Sequence, residues 1–255
     1  MSEPTKGFLI VASRTKFFYY SACNLIESIK DFMPDAKCCL VTEERLLDDR
    51  GRDIADDLIF CDDHKRAKIW GMARSPYDLT MYIDADCEVE HEDISIIFDQ
   101  FNGHDVLFTG LPVERHYCYA EVYFEGARRP DGEPAGFELC GGVCLYDMRN
   151  PLVREFMHDW FDLTVEQYAG RWWPKKEDGT EDLEKYPQSF KRWDQFSLWW
   201  LTKKEPKFFD LKVGVLEDDA RWNFYSKYKP HLNHNKDPIV IRHYSSASAK
   251  QEVYT

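Results

Sequence analysis

The sequence predicts an α/β fold, a mostly parallel mixed sheet flanked by helices, in a single domain over residues 1–255. Short apolar runs of strand length recur at 7–12 (GFLIVA), 38–42, 58–60 and 79–83. Between them lie segments with helical spacing, so the order is βαβ…βα. With 255 residues, 44% of them apolar, the chain can bury a full core.

The elements follow in order. After the first strand, Phe18, Ala22, Leu25, Ile26 and Ile29 recur at helical spacing, and the run 58–60 leads into a helix expected over 64–74. Ser75-Pro76-Tyr77-Asp78 ends that helix, because the residue before a proline is pushed out of the helical region. The strand 79–83 then stops at Asp84-Ala85-Asp86. A helix over 93–101 and a strand over 105–109 complete a nucleotide-binding half, about residues 7–110. Ligands of such sheets gather at the carboxyl ends of the strands.

The second half, about 111–250, opens irregularly. Gly126, Arg128, Arg129, Pro130, Gly132 and Pro134 predict a hairpin or a mobile loop within 113–137. Order resumes with a strand over 142–146. Asn150-Pro151 then supplies a cap and a first-turn proline for a helix carrying Val153, Phe156, Met157, Trp160 and Thr164 on one face. Residues 170–192 are polar, with adjacent Trp172 and Trp173, and read as a surface excursion that is either a solvated insertion or an acceptor-binding lid. A helix over 193–202, short strands near Phe208 and Val213, and a last strand over 238–242 finish the chain.

Composition excludes some classes. With 33 basic and 46 acidic residues the formal charge is −13, which argues against a general polyanion-binding surface. No apolar run approaches the ~20 residues a membrane helix needs, and the first residues show no signal-peptide pattern. A soluble cytoplasmic protein is therefore expected. The eight cysteines include no C-x-x-C pair and read as reduced, mostly buried small apolar residues.

Asp84-Ala85-Asp86 is the only D-x-D in the chain, although an aspartate content this high would yield roughly two or three by chance. Position makes it informative. Directly after an apolar strand, both carboxylates can project from the sheet edge towards one point, and two hard oxygen ligands there suit Mg²⁺ or Mn²⁺ bound to phosphate. The alternative is a strand-end turn whose aspartates cap backbone N–H groups.

With these residues in view the sequence resembles the GT-A glycosyltransferases, most closely the glycogenin-like retaining enzymes. The resemblance spans roughly residues 7–250 as short motifs in order. It implies a metal site of Asp84, Asp86 and His243, the last closing the apolar strand 239–242. It also implies donor contacts from Asp84, Ala85, Lys68 sixteen residues upstream, Gly141 and Gly142 in a small-residue turn, and Lys250 at the diphosphate. The family's D-Q pair is matched by Asp194-Gln195, which would lie near the reacting carbon. Ala12 and Ser13 would hold the base, with Phe18 stacked on uracil. Cys140 and a second glycine depart from the family's usual Asn/Ser-Gly, so sugar specificity does not carry over.

The function implied is sugar transfer from a nucleotide-diphosphate donor, UDP-linked by resemblance, to an acceptor hydroxyl, with Mn²⁺ or Mg²⁺ and with retention. A nucleotidyltransferase would need a Gly-rich loop after the first strand, where this chain reads Ser13-Arg14-Thr15-Lys16-Phe17. A non-catalytic carbohydrate-binding protein of the same fold would not need the metal set. The acceptor stays open among glycan, lipid-linked sugar, protein hydroxyl and hydroxymethylated DNA base. For the last, Arg128-Arg129, Lys175-Lys176 and Lys203-Lys204 would form a phosphate-contacting rim.

Overall fold

The computed structural model describes residues 3–62, 66–111, 138–170, 175–180, 194–226 and 238–244. A seven-stranded sheet runs in the order β3-β2-β1-β4-β7-β6-β8. Its strands are β1 (Lys6–Ala12), β2 (Cys38–Thr42), β3 (Asp57–Phe60), β4 (Leu79–Asp84), β6 (Val106–Gly110), β7 (Leu139–Asp147) and β8 (Val213–Val215). All neighbours pair in parallel except β7, which runs antiparallel between β4 and β6. The sheet is thus α/β, mixed and mostly parallel.

Both sheet faces are covered, which is why its strands read as continuous apolar runs. On one face α1 (Lys16–Phe32) buries Ala22, Leu25, Ile26 and Ile29 against Phe8, Ile10, Met81 and Ile83. On the other, α3 (Ala67–Met72), α4 (Pro151–Tyr168) and α5 (Asp194–Lys203) bury Ile69, Phe156, Trp160 and Leu198 against Leu9, Tyr82 and Phe108. The cap of α4 is as expected: Asn150 accepts from Leu152 N at 2.9 Å. Two further short helices among the described residues are α2 (Asp49–Ile54) and α6 (Asp219–Trp222).

A second sheet was not foreseen. It has three strands in the order β5-β10-β9, with β5 (Cys87–Val89), β9 (Phe224–Tyr225) and β10 (Ile241–His243). The expected last strand over 238–242 therefore begins at Ile241, contains His243, and belongs to this small sheet. Three further expectations are corrected. The segment near Phe208 is a 3-10 turn, Pro206–Phe208, rather than a strand, since Pro206 removes a ladder donor. The helix over 93–101 is a 3-10 helix, Glu92–Phe101. The helix expected over 64–74 ends at Met72, with Ala73 as cap, and its expected start at His64 lies outside the described residues.

None of the described cysteines is in a disulfide, and burial pushes the thiols of Cys38 and Cys39 up to about 12. No described helix is long and apolar enough to cross a membrane.

Candidate functional site

The site is built where β4 ends. Tyr82 and Asp84 lie two apart on one face of the strand, and Tyr82 Oη donates to Asp84 Oδ1 at 2.5 Å. The chain turns at Ala85 and Asp86 and enters β5. Antiparallel pairing then sets Cys87 opposite His243, and Tyr244 N donates to Asp86 O at 2.8 Å. Strand register thus carries His243, distant in sequence, to the aspartate turn. Asp86 Oδ1 and His243 Nε2 are 3.3 Å apart.

The neighbouring strand shapes the floor. In β7 the register pairs Ile83 with Val143, which brings Gly142 beside Asp84. A Cβ on Gly142 would lie 2.8 Å from Asp84 Oδ2 and 3.1 Å from His243 Cε1. A side chain there would occupy the space onto which both groups open. Cys140, Gly141 and Gly142 were expected to form a turn before the strand. They lie inside β7, where the pairing with β6 shifts register between Phe108 and Thr109. The glycines serve close approach, since neither has a positive φ.

A second group of charges adjoins the first. Lys68 of α3 reaches Asp194 Oδ2 at 2.9 Å and Asp84 Oδ1 at 3.7 Å. Burial alone would lower the Lys68 pKa, but the carboxylates of Asp194 and Asp84 outweigh it and raise the ammonium above its ordinary value. Burial would likewise raise Asp194, yet Lys68 and Arg66 hold its carboxyl below the usual range. Asp84 goes the other way: burial raises it, Asp86 adds to that, and Lys68 and His243 offset only part.

Asp84, Asp86 and His243 are donor types that suit Mn²⁺ or Mg²⁺, and Asp86 meets His243 at 3.3 Å, but Asp84 does not join the described ligand atoms that lie within 4.8 Å of one another. Cys87 was read as a buried apolar residue. Its sulfur joins Asp86 and His243 in a group whose ligand atoms all lie within 4.8 Å of one another, and only the strand register reveals this.

The remaining predicted residues are placed as follows. Ala12 ends β1, buried, and Ser13 follows, half-buried. Phe18 is half-buried on α1, packed on the core, with its ring edge-on to Phe17 at 5.4 Å. Gln195 is half-buried in the first turn of α5. Trp199 is buried and Trp200 half-buried, as expected of a core helix. Lys250, Arg128, Arg129, Trp172, Trp173 and most of 170–192 lie outside the described residues.

One feature of the carboxyl edge escaped the sequence reading. Phe60 ends β3 with 48% of its surface exposed, beside buried Glu43 at the end of β2. With Arg45, Cys61 and Asp62 they line a recess of about 290 Å³. Glu43 accepts from Arg14 N and from Arg45 Nε. The sequence offered only a phenylalanine closing the apolar run 58–60, and its exposure is set by the tertiary structure.

No protein-family model and no curated protein matches the chain. Solved structures do. The galactosyltransferase LgtC, determined in complex with donor and acceptor sugar analogs, superposes with a TM-score of 0.55 at 14% identity, covering 94% of this chain and 87% of that one. The chain has the GT-A glycosyltransferase fold. Mouse xyloside xylosyltransferase 1 matches at TM-score 0.52 and 15% identity over 96% and 99% of the two chains. A glycosyltransferase involved in glycosylation of the major capsid of PBCV-1 matches at 0.51 and 11% over 97% and 98%. At these identities the likeness is one of fold.

Proposed function

We propose that this GT-A chain transfers a sugar from a nucleotide-diphosphate donor, UDP-linked, to an acceptor hydroxyl with the help of Mn²⁺ or Mg²⁺. The observation that carries the reading is the meeting of Asp84 and His243 at Gly142, with Asp86 3.3 Å from His243 and the Lys68–Asp194 pair beside Asp84.

Asp84, Asp86 and His243 would hold the cation, whose chemistry is to neutralise the charge that develops on the leaving diphosphate. Lys68 fixes the carboxylates of Asp84 and Asp194 relative to each other before any ligand arrives. Asp194, kept ionised by Lys68, supplies negative charge beside Gly141, where a Cβ would lie 3.8 Å from its Oδ2. Such a carboxylate stabilises positive charge growing on the sugar carbon without serving as a proton acceptor. With Asp194-Gln195 in these roles the reaction retains configuration, and the leaving phosphate takes the acceptor proton on the same face.

The base is best accommodated in the recess beside Phe60 and Glu43. Phe60 offers an open ring for stacking, whereas Phe18 is packed on the core. The acceptor class proposed is a glycan hydroxyl.

A thermal-shift screen of sugar nucleotides with and without Mn²⁺ tests the proposal, because a ligand that binds only the folded state raises Tm. A rise for one donor that depends on Mn²⁺ is expected. Turnover that persists in excess chelator would remove the metal from the mechanism, and NMR of the product's anomeric centre decides retention.

A further inference from the structure

Behind His243 runs a chain of buried hydrogen bonds with a defined direction. His243 Nδ1 lies 2.8 Å from Asn223 Oδ1, Asn223 Nδ2 donates to Thr109 Oγ1 at 2.8 Å, and Thr109 Oγ1 donates to Val143 O at 3.5 Å. His243, Asn223 and Thr109 are 5%, 3% and 0% exposed, so their polar atoms depend on one another rather than on bulk water.

The carbonyl of Val143 can only accept, so it takes the Thr109 hydroxyl proton and leaves Oγ1 to accept from the Asn223 amide N–H. That orientation turns Asn223 Oδ1 towards the imidazole, and an amide oxygen also only accepts. Nδ1 must therefore carry the ring proton. In the neutral ring Nε2, on the far side, then keeps its lone pair and faces Asp86 Oδ1 at 3.3 Å. Two acceptors at that separation are favourable together when one cation lies against both.

The ring plane is set separately. Tyr225 stacks on the imidazole with centroids 4.1 Å apart and planes 23° apart, and its hydroxyl meets Cys140 Sγ at 3.1 Å. Parallel pairing of β9 with β10 sets Tyr225 opposite His243, and Asn223 immediately precedes β9.

We propose that Asn223, backed by Thr109, is a positioning residue that holds His243 as the Nδ1–H tautomer and presents Nε2 to a divalent cation shared with Asp86. The inference rests on the cation-site reading of Asp84, Asp86 and His243. Its basis is that the partner of one ring nitrogen determines which nitrogen remains free as a ligand.

Two measurements test it. In ¹⁵N-labelled, cation-free protein at a pH where the ring is neutral, two-bond ¹H–¹⁵N correlations should show His243 with a protonated Nδ1 and an unprotonated Nε2. The opposite tautomer overturns the proposal. Mn²⁺ binding, followed by electron paramagnetic resonance of the free ion, should weaken by ~10- to 100-fold in Asn223→Leu. It should stay within a few-fold of wild type in Asn223→Asp, whose carboxylate can still accept from Nδ1. Wild-type affinity in the leucine variant, or equal weakening in both variants with the fold intact by circular dichroism, refutes the role. Should the wild type bind no Mn²⁺, the cation reading fails, while the tautomer spectrum still judges the hydrogen-bond chain.

Discussion

The two halves of the candidate site handle charge differently. On the side of α3 and α5, Asp194 and Asp84 share the ammonium of Lys68, so negative charge is balanced within the fold. On the side of the small sheet, Asp86 meets an imidazole in place of an ammonium, with His243 Nε2 3.3 Å from Asp86 Oδ1. The first half is organised before any ligand arrives. On the function proposed above, the second would take its positive charge from a bound cation. The difference teaches that one cluster of carboxylates can hold two jobs, set by which of them the protein itself neutralises.

The comparison breaks most visibly at Asp86. Asp86→Ala is expected to lower donor turnover by about 10³-fold or more, since a cation at a developing diphosphate contributes several kcal/mol. A turnover assay across Mn²⁺ concentrations checks it, and the fold should stay intact because the Lys68 half is untouched. Lys68→Met should act mainly on stability, costing about 3 kcal/mol by denaturant titration, because buried Asp194 loses its ammonium partner and keeps only the more distant influence of Arg66. The Asp194 carboxyl is held below its unfolded value, so its contribution is present above about pH 4 and lost as pH falls further. In Lys68→Met that acid-side loss should flatten.

Finer changes sharpen the contrast. Gly142→Ala puts a methyl group against Asp84 and His243 and should weaken Mn²⁺ binding roughly tenfold, comparable to other perturbations of ligand placement. Its chemical denaturation midpoint should move little. Asn150→Ala removes the cap of α4, whose Trp160 Nε1 donates to Asp194 O at 3.1 Å. A loss of about 1 kcal/mol in stability, with unchanged Mn²⁺ affinity, is expected.

The elements that were legible in the sequence are those with a local cause. β4 stood out as an apolar run ended by aspartates, and α4 as an Asn-Pro cap followed by helical spacing. The small sheet was not legible: β5 and β10 have three residues each and β9 two, too short for a periodic signal. Phe208 misled because a lone buried aromatic in a 3-10 turn looks like a strand residue. Cys140-Gly141-Gly142 looked like a turn because glycine pairs usually are, whereas here they clear space inside a strand.

By itself the sequence determined the α/β class, the strand ending in Asp84 and Asp86, and the residue types able to bind a cation, because hydrophobic period and strand-end chemistry are written within a few residues. Only the tertiary structure decided that Lys68 bridges Asp84 and Asp194, that Cys87 and His243 face each other, and that Asn223 stands behind the imidazole. Those meetings depend on strand register and helix packing between distant segments, which no local pattern encodes.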